Sequence, residues 1–420
     1  MHEYWQAIHT FSPSLRRFIL SSALTTTVAF GLSAVLTNLY LLRLGFDARF
    51  IGVMLGVGQL AWAAAALPAS MVSSHIGLRN GYMLGSAFFG TGITLVLLVE
   101  RAPAALWPAW LMGSQMVVMV GASFLTVNIA PYLMAITGEA ERRHAFAIFQ
   151  AAIPATAFLG SVTAGILPGL FAAQAGVSLD APAPYALALW LGPVLCWLAI
   201  VPLLGADPGK VMLVTGESAT TARAPMLLLA FYGAVIFFQA VGEGAARSFF
   251  NVYLDTELHV PPGQIGAVMG VAQLLPIGVA LTLPLILKKL GTGYTLVTAV
   301  LGVSVFLLPL AAGAALWAAS AAYMGVIAMT TLTGASRDLL GQELVAPRWR
   351  TTIQSAVIIG LALGWAAIGF VGGWLIDTVG FGAMFLAGVI CALISAGMLV
   401  AFLRARRAGG NAAQPAAPAV

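Results

Sequence analysis

"IGVMLGVGQL" at residues 51–60 and "IGAVMGVAQL" at residues 265–274 share six of ten residues, although they lie 214 positions apart in a chain of 420. A segment written twice, half a chain apart, implies two related structural units. The match extends in both directions. "TNLYLLRLGFDARFIGVMLGVGQL" (37–60) aligns with "FNVYLDTELHVPPGQIGAVMGVAQL" (250–274) after one inserted loop residue, which pairs Asn38 with Asn251, Tyr40 with Tyr253 and Gln59 with Gln273. Farther on, "NGYMLGSAFFG" (80–90) matches "TGYTLVTAVLG" (292–302).

Composition says what surrounds these units. The chain is 60% hydrophobic and 8% charged, whereas soluble domains carry about 25% charged residues. Its polar groups cannot cover a folded surface, so part of its solvent is lipid. A helix needs about 20 apolar residues to cross the hydrocarbon layer. Apolar runs between charged or Pro/Gly breaks predict spans near 16–41, 49–73, 80–99, 107–136, 144–172 and 184–204. A second set falls near 224–254, 264–287, 292–311, 316–343, 350–376 and 381–404. The expected fold is an all-α membrane protein of twelve transmembrane helices in two pseudo-symmetric six-helix bundles, at 16–204 and 224–404. Residues 1–15 form a cytoplasmic N-terminus, the polar stretch 205–223 a cytoplasmic linker, and 405–420 a disordered tail. The apolar run after Arg16 and Arg17 is too long for the core of a cleaved signal peptide.

Basic residues set the orientation. With the N-terminus inside, fourteen of the nineteen Lys and Arg residues fall in inner loops or tails. Both termini are therefore expected in the cytoplasm, with the chain in the cytoplasmic membrane. The net charge of +5 then reflects topology, and no basic surface interleaved with aromatics points to nucleic acid. Cys196 and Cys391 lie in apolar runs and suggest neither a disulfide nor a metal site. "GADPGK" (205–210) is one residue short of a phosphate loop and lacks its Ser or Thr. No HExxH, G-x-S-x-G or spaced Cys/His cluster occurs, so neither an enzyme nor a cofactor is expected.

Two six-helix halves in parallel repeat, with inner linker and inner termini, resemble the major facilitator superfamily over about residues 15–405. The motifs match less well than the architecture. The family's loop between helices 2 and 3 reads Gly-x-x-x-Asp-Arg/Lys-x-Gly-x-Arg/Lys. "SMVSSHIGLR" (70–79) keeps Gly77 and Arg79 of it, and the equivalent "PLILKKLGTG" (284–293) keeps Lys289 and Gly291. Both aspartates are missing, so the family's Asp-based latch is not available here. The Arg in span 4 and the Gly-Pro-x-x-Gly-Gly run in span 5 of the drug/proton antiporters are also missing. The resemblance implies a secondary transporter that moves a small organic solute by alternating access, coupled to protons. A drug/proton efflux antiporter or a lipid-type flippase of the same fold is the alternative. Implied partners are a small-molecule substrate, membrane lipid and protons, for a monomer.

In the resembled fold, spans 1, 4, 7 and 10 line a central cavity, and charges inside spans mark function. Span 7 holds Gln239, Glu243 and Arg247 on one stripe, and span 10 holds Arg337 and Asp338. Neutral candidates are Asn38, Asn251, Asn128 and Gln115. The expectation is that Glu243 carries the coupling proton while Arg247, with Arg337, holds an anionic part of the substrate. A cytoplasmic gate is expected from Glu139, Arg142, Arg143, Glu343, Arg348 and Arg350, with Arg79. Gly52 and Gly56, and their copies Gly266 and Gly270, form small-xxx-small faces that let helices approach closely in lipid. In the resembled fold spans 2 and 8 cross spans 11 and 5 at the interface between bundles, which implies Gly360 and Gly364 in span 11 and Gly160 and Gly165 in span 5 as partners.

Overall fold

The computed structural model describes residues 11–209, 226–346 and 349–412. Lys210 to Pro225, which hold most of the expected linker, and Arg348 of the expected gate lie outside the described residues. The described chain is helical almost throughout. In lipid every backbone N–H and C=O must find a partner within the protein, and a helix provides one inside each segment.

Helix α1 is Pro13–Arg43, interrupted by a π-helical turn at Thr27–Leu32. It opens on Ser12, whose Oγ accepts from the Leu15 amide at 3.2 Å, with Pro13 as its first residue. Then come α2 Ala48–Ile76, α3 Leu78–Leu97, α4 Trp107–Ala135 and α5 Glu139–Ala175. Helix α6, Ala183–Leu204, runs as three short segments. After the linker come α7 Met226–Thr256 and the 50-residue Pro262–Ala311. That long helix breaks at Gly291 (φ 73°), and its parts 262–290 and 292–311 are named α8 and α9. The chain ends with α10 Leu316–Leu344, α11 Arg350–Thr378 and α12 Phe381–Ala412. The last helix continues eight residues past the expected end at 404.

The repeat is visible in the backbone. Gly77 (φ 93°) ends α2 and begins α3, and Gly291 stands at the equivalent place between α8 and α9. Both residues adopt a positive φ that a side chain would strain. Ten helices, the 50-residue one counted once, are long and apolar enough to cross a membrane. Large apolar side chains point outward, with Leu227 86% exposed, Trp317 79%, and Leu67 and Leu281 77% each. Such faces suit contact with acyl chains and not with water.

The closest packing between the two halves of the chain follows glycine, with the expected Gly165 on α5 but with other partners on α11. A Cβ on Gly52 would strike the Gly369 carbonyl oxygen, and one on Gly56 would lie 2.9 Å from the Phe370 ring. On the other side, Gly266 meets the Ser161 carbonyl oxygen and Gly165, while Gly270 meets Val162 and Phe158. Gly360 and Gly364 do not face α2. They lie against Gly233, Ile236, Phe237 and Ala240 of α7, inside the same half. At 100° per residue they stand about half a turn away from Gly369 and Gly373, the glycines that do face α2. Gly160 is likewise turned toward Thr27 and Gly31 of α1. Glycine spacing marks a close approach but not the neighbour, and α11 carries two such faces.

Candidate transport site and inter-half latch

The stripe expected on α7 is present and buried. Gln239 is 2% exposed and Glu243 5%. The Gln239 amide Nε2 donates to Glu243 Oε1 at 2.9 Å. Arg247 does not pair with Glu243 one turn away. Its Nη2 donates to Thr330 Oγ1 of α10 at 2.9 Å, so it bridges two helices. Below the stripe, Tyr232 OH donates to the Arg337 carbonyl at 2.6 Å. Above it, the rings of Phe250 and Tyr323 stack with centroids 4.0 Å apart. The α7–α10 seam thus runs polar through its middle and aromatic toward its end.

Arg337 and Asp338 differ in environment, as the 100° step between consecutive helix residues requires. The Arg337 side chain is 12% exposed and that of Asp338 52%, and Arg337 Nε lies 3.6 Å from Asp338 Oδ1. Arg337 faces into the seam, whereas Asp338 is open to solvent or lipid headgroups.

The neutral candidates separate into two groups. Gln115 packs on Gly58 of α2, and Asn128 Nδ2 donates to Ser73 Oγ of α2 at 2.8 Å. Both belong to the α2–α4 contact. Asn38 and Asn251 meet each other across the two halves. Asn38 Nδ2 donates to Asn251 Oδ1 (3.1 Å) and to the Ser248 carbonyl (2.9 Å). Asn251 Nδ2 in turn donates to the Val35 carbonyl at 3.0 Å. Val35 and Ser248 occupy the same repeat position, so the two bonds are symmetry mates.

One turn farther lies an ion pair the sequence reading missed. Arg43 Nη1 and Nη2 donate to the two carboxylate oxygens of Asp255, each at 2.7 Å. Their side chains are 17% and 7% exposed. Arg43 Nε also donates to the Leu179 carbonyl at 3.1 Å, and its guanidinium lies 5.2 Å from the Tyr185 ring centroid. Arg43 is therefore held by its own half, and Asp255 is the partner from the other. Asn251 offered a signal, because Asp255 follows it by one helical turn on the face already pointed at α1.

The expected gate lies at the opposite end, where the described bonds stay within one half. Arg142 Nη2 donates to the Thr137 carbonyl, Glu141 accepts from the Ser12 amide at 2.8 Å, and Glu343 accepts from Thr292 at 2.8 Å. Arg79 reaches neither an acidic residue nor the other half. Its Nη1 donates to the Ala206 carbonyl at 2.7 Å, Arg17 bonds the Gly205 carbonyl, and Tyr132 OH donates to the Asp207 carbonyl at 2.6 Å. Residues 205–209 are thereby strapped to the ends of α1, α3 and α4. Glu139 and Arg143 lie on α5, and Arg350 begins α11. No group of three or more metal-ligating side chains occurs among the described residues.

The fold has counterparts among known structures. The structure is similar to that of a mutant of the nucleoside transporter NupG, with a TM-score of 0.72 at 14% identity over 93% of this chain and 99% of that one. A D-xylose–proton symporter superposes with a TM-score of 0.73 at 11% identity, over 94% and 97% of the two chains. A bacterial homologue of the iron transporter ferroportin, in an inward-facing state, gives 0.69 at 13% identity over 92% and 97%. Identities this low establish a shared fold and nothing about cargo. No curated protein sequence matches. The sequence profile of the Major Facilitator Superfamily matches residues 18–341, more than three quarters of the chain, and the protein belongs to that family of multi-pass membrane transporters.

Proposed function

We propose that the chain is a proton-coupled secondary transporter that moves a small organic solute by alternating access, from a site on the α7–α10 seam. Leu78–Leu97 and both parts of Pro262–Ala311 each count as a span in this reading, which gives twelve, with both termini in the cytoplasm. The observation that carries it is where the halves touch. Arg43–Asp255, Asn38–Asn251 and the glycine contacts all lie toward one end of the molecule, while at the other end Arg142 and Glu343 bond within their own halves. Two repeats closed at one end only are what a rocking pair holds in one of its two states. With basic loops inside, the closed end is extracellular and the conformation faces inward.

Glu243 is the acidic group of the seam, and Gln239 holds its Oε1. In this proposal it takes up and releases the coupling proton, while Arg247 and Arg337 orient the solute. Thermal-shift screening of the purified protein identifies a solute, because ligands that bind the folded state stabilise it. In proteoliposomes, Glu243→Gln is expected to abolish accumulation driven by a pH gradient yet retain counterflow exchange, and Arg247→Ala to lose both. Undiminished pH-driven accumulation by Glu243→Gln removes Glu243 from the coupling step.

A further inference from the structure

The α7–α10 seam leaves room beside Gly334. On α7, Tyr232, Gln239, Glu243 and Arg247 spread over about 80° of the helix, and on α10 Thr330, Gly334, Arg337 and Gly341 spread over about 60°. Contacts show that these faces look at each other. Arg247 reaches Thr330, Tyr232 reaches the Arg337 carbonyl, and a Cβ on Gly341 would lie 3.3 Å from the Tyr232 ring. Gly334 stands between the two bridges. A Cβ added there would meet a single atom within 4 Å, Arg337 Nη2 at 3.7 Å. The glycines at the contacts between halves, such as Gly52 and Gly266, are pressed against backbone, but this one is not.

Two polar atoms of the same faces are buried without a hydrogen-bond partner, Gln239 Oε1 and Arg337 Nε. Gln239 spends its amide nitrogen on Glu243. Arg337 Nε is 3.6 Å from Asp338 Oδ1, too long for a hydrogen bond. Buried polar groups in native proteins are nearly always satisfied. One of these atoms needs a donor and the other an acceptor. A carboxylate cannot donate and an ammonium cannot accept, but a hydroxyl does both.

Resting on the reading that α7 and α10 line the transport path, we infer that the space at Gly334 is a subsite for a hydroxyl group, the substrate's or a water's, which donates to Gln239 Oε1 and accepts from Arg337 Nε. Gly334 is then a specificity-determining residue, because any side chain there occupies the volume of the bound oxygen. The inference also moves the anionic part of a solute away from Arg337 Nε and toward Arg247.

The test uses the full chain in lipid nanodiscs, as wild type, Gly334→Ala and Gly334→Ser. Alanine is the better helix former and meets no backbone, so Gly334→Ala is expected to fold at least as well as wild type. A structure at water-resolving resolution reads the first source, and thermal shifts with uridine, D-xylose and glycerol read the second. Solvent density within hydrogen-bond distance of both atoms, lost in Gly334→Ala, supports the subsite with water as its occupant. A polyol that stabilises wild type but binds Gly334→Ala about tenfold more weakly, as loss of a hydrogen bond predicts, supports it with the substrate as occupant. Gly334→Ser, which carries its own hydroxyl, is expected to satisfy the two atoms itself and to keep the wild-type melting temperature. Absence of both the density and any Gly334-dependent shift overturns the subsite. Failure of the transport reading looks different: the density would be present while no solute exchanges in proteoliposomes.

Discussion

Removing the Asp255 carboxylate should open the closed end of the molecule. In the structure both guanidinium nitrogens of Arg43 reach it at 2.7 Å, and the two side chains are 17% and 7% exposed. Deleting one partner of a fully buried pair costs about 3–5 kcal/mol, whereas an exposed pair is worth at most about 1 kcal/mol. Arg43 retains the Leu179 carbonyl and the Tyr185 ring as partners, which lowers the loss. Once the halves part, water solvates both groups, so the open state loses little. The closed state therefore loses about 2–3 kcal/mol relative to the open one, which shifts the population about 30- to 150-fold toward open. Asp255→Asn keeps one acceptor and is expected to shift it about tenfold, the worth of one charge-assisted bond. Spin labels at Val177 and Glu257, both exposed near the Arg43 end, report the opening as a longer component in the distance distribution. A distribution in Asp255→Ala that matches wild type, with folding intact, would refute the latch.

Three further outcomes follow from the geometry. Gly52→Ala and Gly266→Ala are expected to abolish solute exchange, because the new methyl strikes a backbone carbonyl, whereas Gly113→Ala, with nothing within 4 Å, is neutral; equal activity in all three variants removes the close-packed role. Cysteines at Asp180 and Glu217 are expected to react with impermeant reagents from outside and inside respectively, and labelling of both from one side shows the span count to be wrong. Arg79→Ala is expected to free residues 205–209, read as faster amide hydrogen exchange there, and unchanged exchange argues that Arg17 and Tyr132 hold the segment without it.

The sequence made the helices legible because lipid imposes one rule on every span, and the repeat marked α2 and α8 as equivalent close-packing helices because their glycine pairs recur in register. What stayed hidden depended on azimuth. Gly360 and Gly364 have the right spacing and face α7, and Gln115 and Asn128 are polar residues of α4 that turn toward α2 and α3. Small and polar residues serve contacts within a half as readily as contacts between halves, and spacing does not distinguish the two. Arg43 was hidden for another reason. It falls at the boundary of a helix, where a basic residue reads as a topological signal until its partner, more than 200 residues away, is seen.

The two contacts at the closed end differ in symmetry. The backbone part of the asparagine contact is self-complementary: exchanging the halves returns the same bonds, Asn38 to the carbonyl at 248 and Asn251 to the carbonyl at 35. Two identical chains meeting about a twofold axis could make it. The ion pair has no such symmetry, since the positions equivalent to Arg43 and Asp255 are Thr256 and Leu42. Two identical copies of either half could not make it. The single chain thus carries a directional clasp beside a near-symmetric contact, and an assembly of two identical copies of either half would close without it.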